Sequence, residues 1–276
     1  MWLRTSCEIA FDIKTATPFI LMLRPRNGAQ QWIATESFTL KPSVPFLEHI
    51  DGFGNLCQRL VAPPGEFTIR TSADLLTSET IDVGPGEPYV EVQNLPDTVL
   101  TYLLPSRYCE SDRFTDLSRE IVDGAAPGYD QVVRLNQWLR ENIRFNPDSP
   151  HFQTTAAEVF KARQGVCREL AHLGIALCRG LSIPARMVVG YLFGLRPMNF
   201  HAWFEAYVGG RWYTFDPTQE EPRGGRIVVA YGHDAADVAL FNQFGPATYP
   251  KLMNVSVVQL AEPTGKAGCG DYAYSM

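Results

Sequence analysis

Residues 201–217, HAWFEAYVGGRWYTFDP, leave the backbone few choices. Two runs rich in aromatic and β-branched side chains flank Gly209-Gly210. A two-residue Gly-Gly connection between such runs is a strong hairpin signal. With those glycines as the loop, Val208 faces Arg211, Trp203 faces Asp216 and His201 faces Thr218. Side chains alternate along a strand, so His201 and Trp203 share a face with Asp216. His201 and Asp216 are then diagonal neighbours about 7–8 Å apart, within reach of a side-chain hydrogen bond. Ala202, Phe204, Ala206, Val208, Tyr213 and Phe215 form the opposite, apolar face, which is expected to be the core side, so the polar pair points away from it. A three-residue loop would destroy this register, and a surface histidine with a nearby aspartate would leave the same local trace.

A third residue gives that pair a chemical meaning. The chain has six cysteines, at 7, 57, 109, 167, 178 and 269, with no CxxC pair among them. Zinc sites usually show two close ligand pairs, so no metal is expected. The chain is long and shows no export signal, so free thiols are expected rather than disulfides. Gly165-Val166-Cys167 sits where a loop turns into a helix, with Gly165 leaving room for a substrate. A thiol there feels the positive end of the helix dipole, which favours the thiolate. A buried core cysteine would fit the same pattern. Cys, His and Asp together match a division of labour in which a thiolate attacks a carbonyl, an imidazole moves the proton and a carboxylate orients the imidazole.

The remainder of the chain supplies a frame. At 276 residues, with 45% hydrophobic and 20% charged side chains, it reads as one large or two modest globular domains. A net charge of −6 and a pI near 5.4 argue against a nucleic-acid or anionic-membrane partner. No stretch approaches the ~20 apolar residues of a membrane span. The first residues lack a signal-like apolar run, which makes the cytoplasm the expected compartment. Segments 3–13 (with a slip in the alternation near Cys7), 18–24, 31–40 and 66–71 are strand candidates separated by turn-rich breaks, as in a β-sandwich. Residues 84–96 read as a proline-rich linker. Helices are expected over 114–123, 129–144, 156–163 and 167–179, then strands over 185–193 and 254–260. The stretch 220–233 is expected to fold back across the core.

The segment GVCRELAHLGIALCRGLSIPARMVVGY, followed by HAWFEAYVGGRWYTFDPT, resembles the transglutaminase-like core, a papain-related fold. The resemblance spans about 114–219, and G-V-C, I-P-A-R, H-A-W and F-D-P-T are specific together. The N-terminal part, with LRP, QQW and DGFGN, is similar to the N-terminal domain of bacterial transglutaminase-like proteins. The resemblance implies an α+β chain: an antiparallel β-sandwich over 1–95, a catalytic core of helices packed on an antiparallel sheet over 96–250, and a C-terminal strand and tail over 251–276. It implies Cys167 as nucleophile, His201 as base and Asp216 as orienting carboxylate. Many relatives are described as candidate cysteine proteases rather than cross-linking enzymes. Asn199 and Glu169 depart from the commoner pattern, where aspartate is frequent.

The expected activity is therefore thiol hydrolysis of a peptide, protein or amide substrate through an acyl-enzyme, with no cofactor. Acyl transfer to an amine, other cysteine chemistry and a non-catalytic binding module on the same fold are the competing outcomes. The Cys167 N–H is a natural oxyanion donor, with Gln153 or Gln164 as candidate second donors. Trp203 packs beside His201 or walls a substrate cleft. His172 reads as structural or cleft-edge, and His49, His151 and His233 as solvated. Arg168 reads as a helix-surface residue and Cys269 as a second exposed thiol. The N-terminal domain is expected to position substrate or bind a protein partner. The glycine-rich segments lack the context of a phosphate loop.

Overall fold

The computed structural model describes residues 1–28, 30–147 and 154–261. His151, Gln153 and Cys269 lie outside them. The N-terminal part contributes β1 (Trp2–Ile13), β2 (Thr17–Leu21), β3 (Gln31–Lys41), β4 (Phe46–Ile50), β5 (Leu56–Ala62) and β6 (Gly65–Thr77). The middle holds α1 (Asp97–Leu100), α2 (Thr115–Ile121), α3 (Tyr129–Asn142), β7 (Arg144–Phe145), α4 (Ala156–Ala162), β8 (Gln164–Gly165) and α5 (Cys167–Gly180). There follow β9 (Ala185–Leu192), β10 (His201–Val208), β11 (Arg211–Phe215), β12 (Arg226–Gly232), β13 (Phe241–Gln243) and β14 (Leu252–Gln259). None of the helices described is long and apolar enough to cross a membrane.

Two antiparallel sheets, ordered β14-β1-β6-β3 and β13-β2-β5-β4, form the sandwich. They meet across a core that includes Ile9, Phe11, Phe19, Leu21, Leu60 and Phe67. In β1 every odd position from Leu3 to Ile13 is buried, Thr5 and Cys7 included. The alternation expected to slip near Cys7 therefore runs straight through it, because Thr5 and Cys7 are small enough to serve as core residues. The expected core span of 96–250 runs too far: β13 pairs with β2, and β14 with β1, so the end of the chain returns to complete the N-terminal sheets. The strand β4, absent from the sequence expectations, is exposed along its whole length. A strand with no buried face carries no alternation to detect.

The second half builds an antiparallel sheet, β11-β10-β9-β12, with helices on it. The hairpin has the expected register, with Val208 opposite Arg211 and Phe204 opposite Phe215. Gly209 and Gly210 have φ of 58° and 87°, the left-handed pair that a two-residue turn between right-twisted strands requires. The proline-rich stretch near residue 88 lies across this turn, its Pro88 carbonyl accepting from the Gly209 N–H.

The helix α5 is buried on nearly every side, its polar Glu169, His172 and Arg179 included. It touches β10 where Gly174 meets Phe204: a Cβ on Gly174 would sit 2.5 Å from the Phe204 ring. From that contact, Cys167 lies two helical turns back, roughly 10 Å, and His201 three strand residues back, also roughly 10 Å. A glycine in the middle of the helix thus lets two elements lie close enough to bring residues 167 and 201 together. Gly174→Ala is expected to lose about 1–3 kcal/mol through overpacking, more than the roughly 1 kcal/mol that alanine gains in a helix. Urea unfolding checks this, and an unchanged midpoint would mean that the contact yields without strain.

Candidate active site

Cys167 is the first residue of α5, with Val166 as the preceding cap. The loop before it is drawn tightly over the helix. The Val166 N–H donates to the Glu169 carboxylate at 2.8 Å, one turn into the helix. A Cβ on Gly165 would meet that side chain at 2.8 Å. Gly165 is buried, and its lack of a side chain lets the loop pack closely on the helix. The Cys167 N–H, in the first helical turn, has no intrahelical acceptor.

His201, the first residue of β10, meets Asp216 through Nε2 at 2.7 Å. A carboxylate only accepts, so Nε2 carries the proton and Nδ1 is left for the thiol. The Cys167 side chain hydrogen-bonds His201 and the Ala202 backbone. Both oxygens of Asp216 have partners. Its Oδ1 accepts the Thr218 N–H at 3.0 Å and the Thr218 hydroxyl at 2.7 Å. Its Oδ2, besides His201, faces the Arg226 guanidinium at 2.9 Å.

These contacts set the ionisation. Burial would push the Cys167 thiol up, but the hydrogen bond and charge of His201 outweigh it and bring the thiol below its ordinary value. Burial would lower His201, yet Asp216 raises it to about 9. Burial would raise Asp216, but His201, Arg226 and Thr218 hold it well below the usual carboxylate range. The three shifts all favour the charged forms: thiolate, imidazolium and carboxylate. The other described cysteines behave oppositely: burial raises Cys57 to about 11 and Cys7 to about 12, and raises Cys109 and Cys178 as well. All four are buried, whereas Cys167 is only half-buried.

The remaining candidates separate cleanly. Trp203 stacks on His201 with ring centroids 6.1 Å apart and is 1% exposed, so it packs the histidine and does not wall a cleft. Gln164 turns its side-chain oxygen to Arg144 and Asn146, bracing the short β7–β8 ladder. His172 is buried; its Nε2 accepts the Ala235 N–H, so Nδ1 donates to the Thr154 carbonyl and the ring is neutral. Burial accordingly lowers it to about 4. His49 is exposed. His233 is not simply solvated: its ring bonds Asp237 at 2.9 Å and Thr101 at 2.7 Å. Arg168 lies beside Glu169 in the first turn. Arg226 was missed in the sequence, where it is only a charged residue before an apolar run. A cavity of about 560 Å³ lies on the α3 side of Asp216, among Tyr129, Asn136, Arg140, Pro217 and Arg226, and does not reach Cys167 or His201. Among the described residues, no cluster of three or more His, Cys, Asp or Glu side chains could hold a metal ion.

Residues 115–217 match the model of the transglutaminase-like superfamily core. A solved structure described as a "putative cysteine protease" from Cytophaga hutchinsonii is 34% identical, with a TM-score of 0.88 over 95% of this chain and 91% of that one. Uncharacterised proteins of Mycobacterium leprae and Mycobacterium bovis are each 27% identical. The first match covers 79% of this chain and 82% of the relative, the second 82% and 81%. The chain belongs to the transglutaminase-like superfamily of enzymes.

One thiol with a lowered pKa among raised ones predicts selective alkylation. Iodoacetamide at pH 6 should label Cys167 and leave Cys7, Cys57, Cys109 and Cys178 unmodified, as read by peptide mass spectrometry. In His201→Ala that labelling should slow, since the hydrogen bond and charge that favour the thiolate are gone.

Proposed function

We propose that the protein is a thiol hydrolase cleaving a peptide or amide bond through Cys167, His201 and Asp216. The observation that carries this is geometric: Cys167, on the first turn of a buried helix, hydrogen-bonds His201 at the start of β10, and Asp216 holds the far nitrogen of that ring at 2.7 Å. Likeness to the Cytophaga hutchinsonii protein supports the same assignment.

The Cys167 thiolate attacks the carbonyl carbon, and the electron pair moves to oxygen, where the Cys167 N–H donates to it. As the tetrahedral centre collapses, the C–N bond breaks and His201 gives its proton to the leaving amine. The acyl group stays on sulfur as a thioester. Water then attacks that thioester while His201 takes one of its protons, and the acid leaves as the proton returns to the Cys167–His201 pair. Asp216 keeps the Nε2 proton in place throughout, so Nδ1 faces the reacting atoms.

Cys167→Ala is expected to abolish turnover of a peptide or amide library while leaving the thermal transition in place; retained activity would sink the assignment. Asp216→Asn should lower kcat on the order of 10²–10⁴-fold, because an amide presents a donor to the wrong tautomer. The pH profile follows from the two shifted groups. Activity should fall on the acid side as the thiolate is protonated, and on the alkaline side as His201 loses its proton through about 9. A profile with no alkaline limb near that value would exclude His201 as the acid.

A further inference from the structure

Asp216 lies in a dry site where a lone carboxylate would be costly. Its partner His201 is charged for only part of the proposed cycle, since it hands over its proton to the leaving amine. An arginine guanidinium, unlike an imidazole, is a permanent cation. Its Nη1 lies 2.9 Å from Oδ2, the same oxygen that receives His201. That nitrogen makes no aligned hydrogen bond, so the contact is a charge pairing. The guanidinium also covers the Trp203 ring at 5.0 Å, and Trp203 in turn stacks on His201. Its Nε donates to the Arg223 carbonyl, and the residue is 7% exposed. Arg226 therefore has a fixed position, a permanent charge and direct contact with the carboxylate.

The strand that carries it is held from the other domain. β12 is an edge strand of its sheet, paired only with β9. Its open edge is taken up by side chains of the sandwich. The Thr77 hydroxyl donates to the Arg226 carbonyl at 2.7 Å. The Gln31 amide bonds both the N–H and the C=O of Val228, at 2.7 and 2.9 Å. The Asn55 amide does the same at Tyr231, at 2.8 and 2.7 Å. All three side chains are buried and stand in for a neighbouring strand.

We propose that Arg226 is a positioning residue through which the N-terminal sandwich holds Asp216 ionised and oriented toward His201. The sandwich is then part of the catalytic apparatus rather than an appended module. This rests on the assignment of Cys167, His201 and Asp216 as the reacting set.

The test uses the full chain with Arg226→Met, Arg226→Lys and Thr77→Val. Two readouts are taken beside the melting temperature: the rate of Cys167 labelling by iodoacetamide at pH 6, and the low-field proton resonance of the His201–Asp216 hydrogen bond. Arg226→Met is expected to slow labelling about ten- to a hundredfold, the scale at which small displacements act on reactivity, and to lose the resonance. Arg226→Lys should recover most of both, and Thr77→Val should fall between wild type and Arg226→Met. Wild-type labelling with an intact resonance in Arg226→Met would overturn the proposal, as would an Arg226→Lys protein that folds yet is as impaired as Arg226→Met. If Arg226→Met does not fold, the lysine and Thr77→Val variants decide: recovery in the first with slowing in the second upholds the proposal, and wild-type behaviour of Thr77→Val overturns it. If wild-type Cys167 labels no faster than a buried thiol, yet the resonance is present and depends on Arg226, the hydrolase assignment fails and the positioning role stands.

Discussion

A carboxylate taken out of water must find partners for both oxygens, and Asp216 finds them on three separate pieces of the chain. Thr218 supplies two from the turn just after it, His201 one from the neighbouring strand, and Arg226 a permanent charge from the far side of the sheet. Local sequence secures the first, hairpin register the second, and sheet order the third. Because these partners belong to different elements, the carboxylate is fully matched only when hairpin, sheet and edge strand are all in place. The ionisation of the thiol then follows in sequence: Asp216 raises His201, and His201 lowers Cys167.

Bringing Cys167 to this pair is a packing problem. The helix α5 is buried nearly all round, and the absence of a side chain at Gly174 sets how closely it approaches β10. The same core extends into the sandwich, where Leu3, Cys57, Ala73, Leu75 and Val257 join the cluster that surrounds α5. A continuous hydrophobic core between the two halves leaves little freedom for one to move against the other. The amide clamps of Gln31 and Asn55 on β12 add direction to that contact, since each side chain fits both backbone groups of a single residue.

The site also shows why other ionisable groups stay silent. His172 is buried as deeply as His201 but is held neutral, because its Nε2 meets a backbone donor instead of a carboxylate. Cys178 shares α5 with Cys167, yet it sits in the last turns amid apolar side chains and its thiol is raised. The same residue types acquire opposite properties according to what faces them.

The hairpin was legible in full from the sequence: Gly209-Gly210 fixes a two-residue loop, strand alternation fixes the faces, and His201 and Asp216 follow as neighbours. The position of Cys167 at a helix start was equally legible, as were the main helices and most strands, because periodicity and turn chemistry are local. What local pattern could not carry was decided by the tertiary structure. The strand β4 has no buried face, and β13 is only three residues long, so neither left a pattern. Arg226 became part of the site only because β12 returns beside β9, and the sandwich became part of the site only because Thr77, Gln31 and Asn55 meet that strand's open edge. Sequence determines which groups are neighbours along a turn or across a hairpin, where spacing and geometry are coupled. Contacts between elements far apart in the chain depend on which surfaces pack together, and the fold alone decides that.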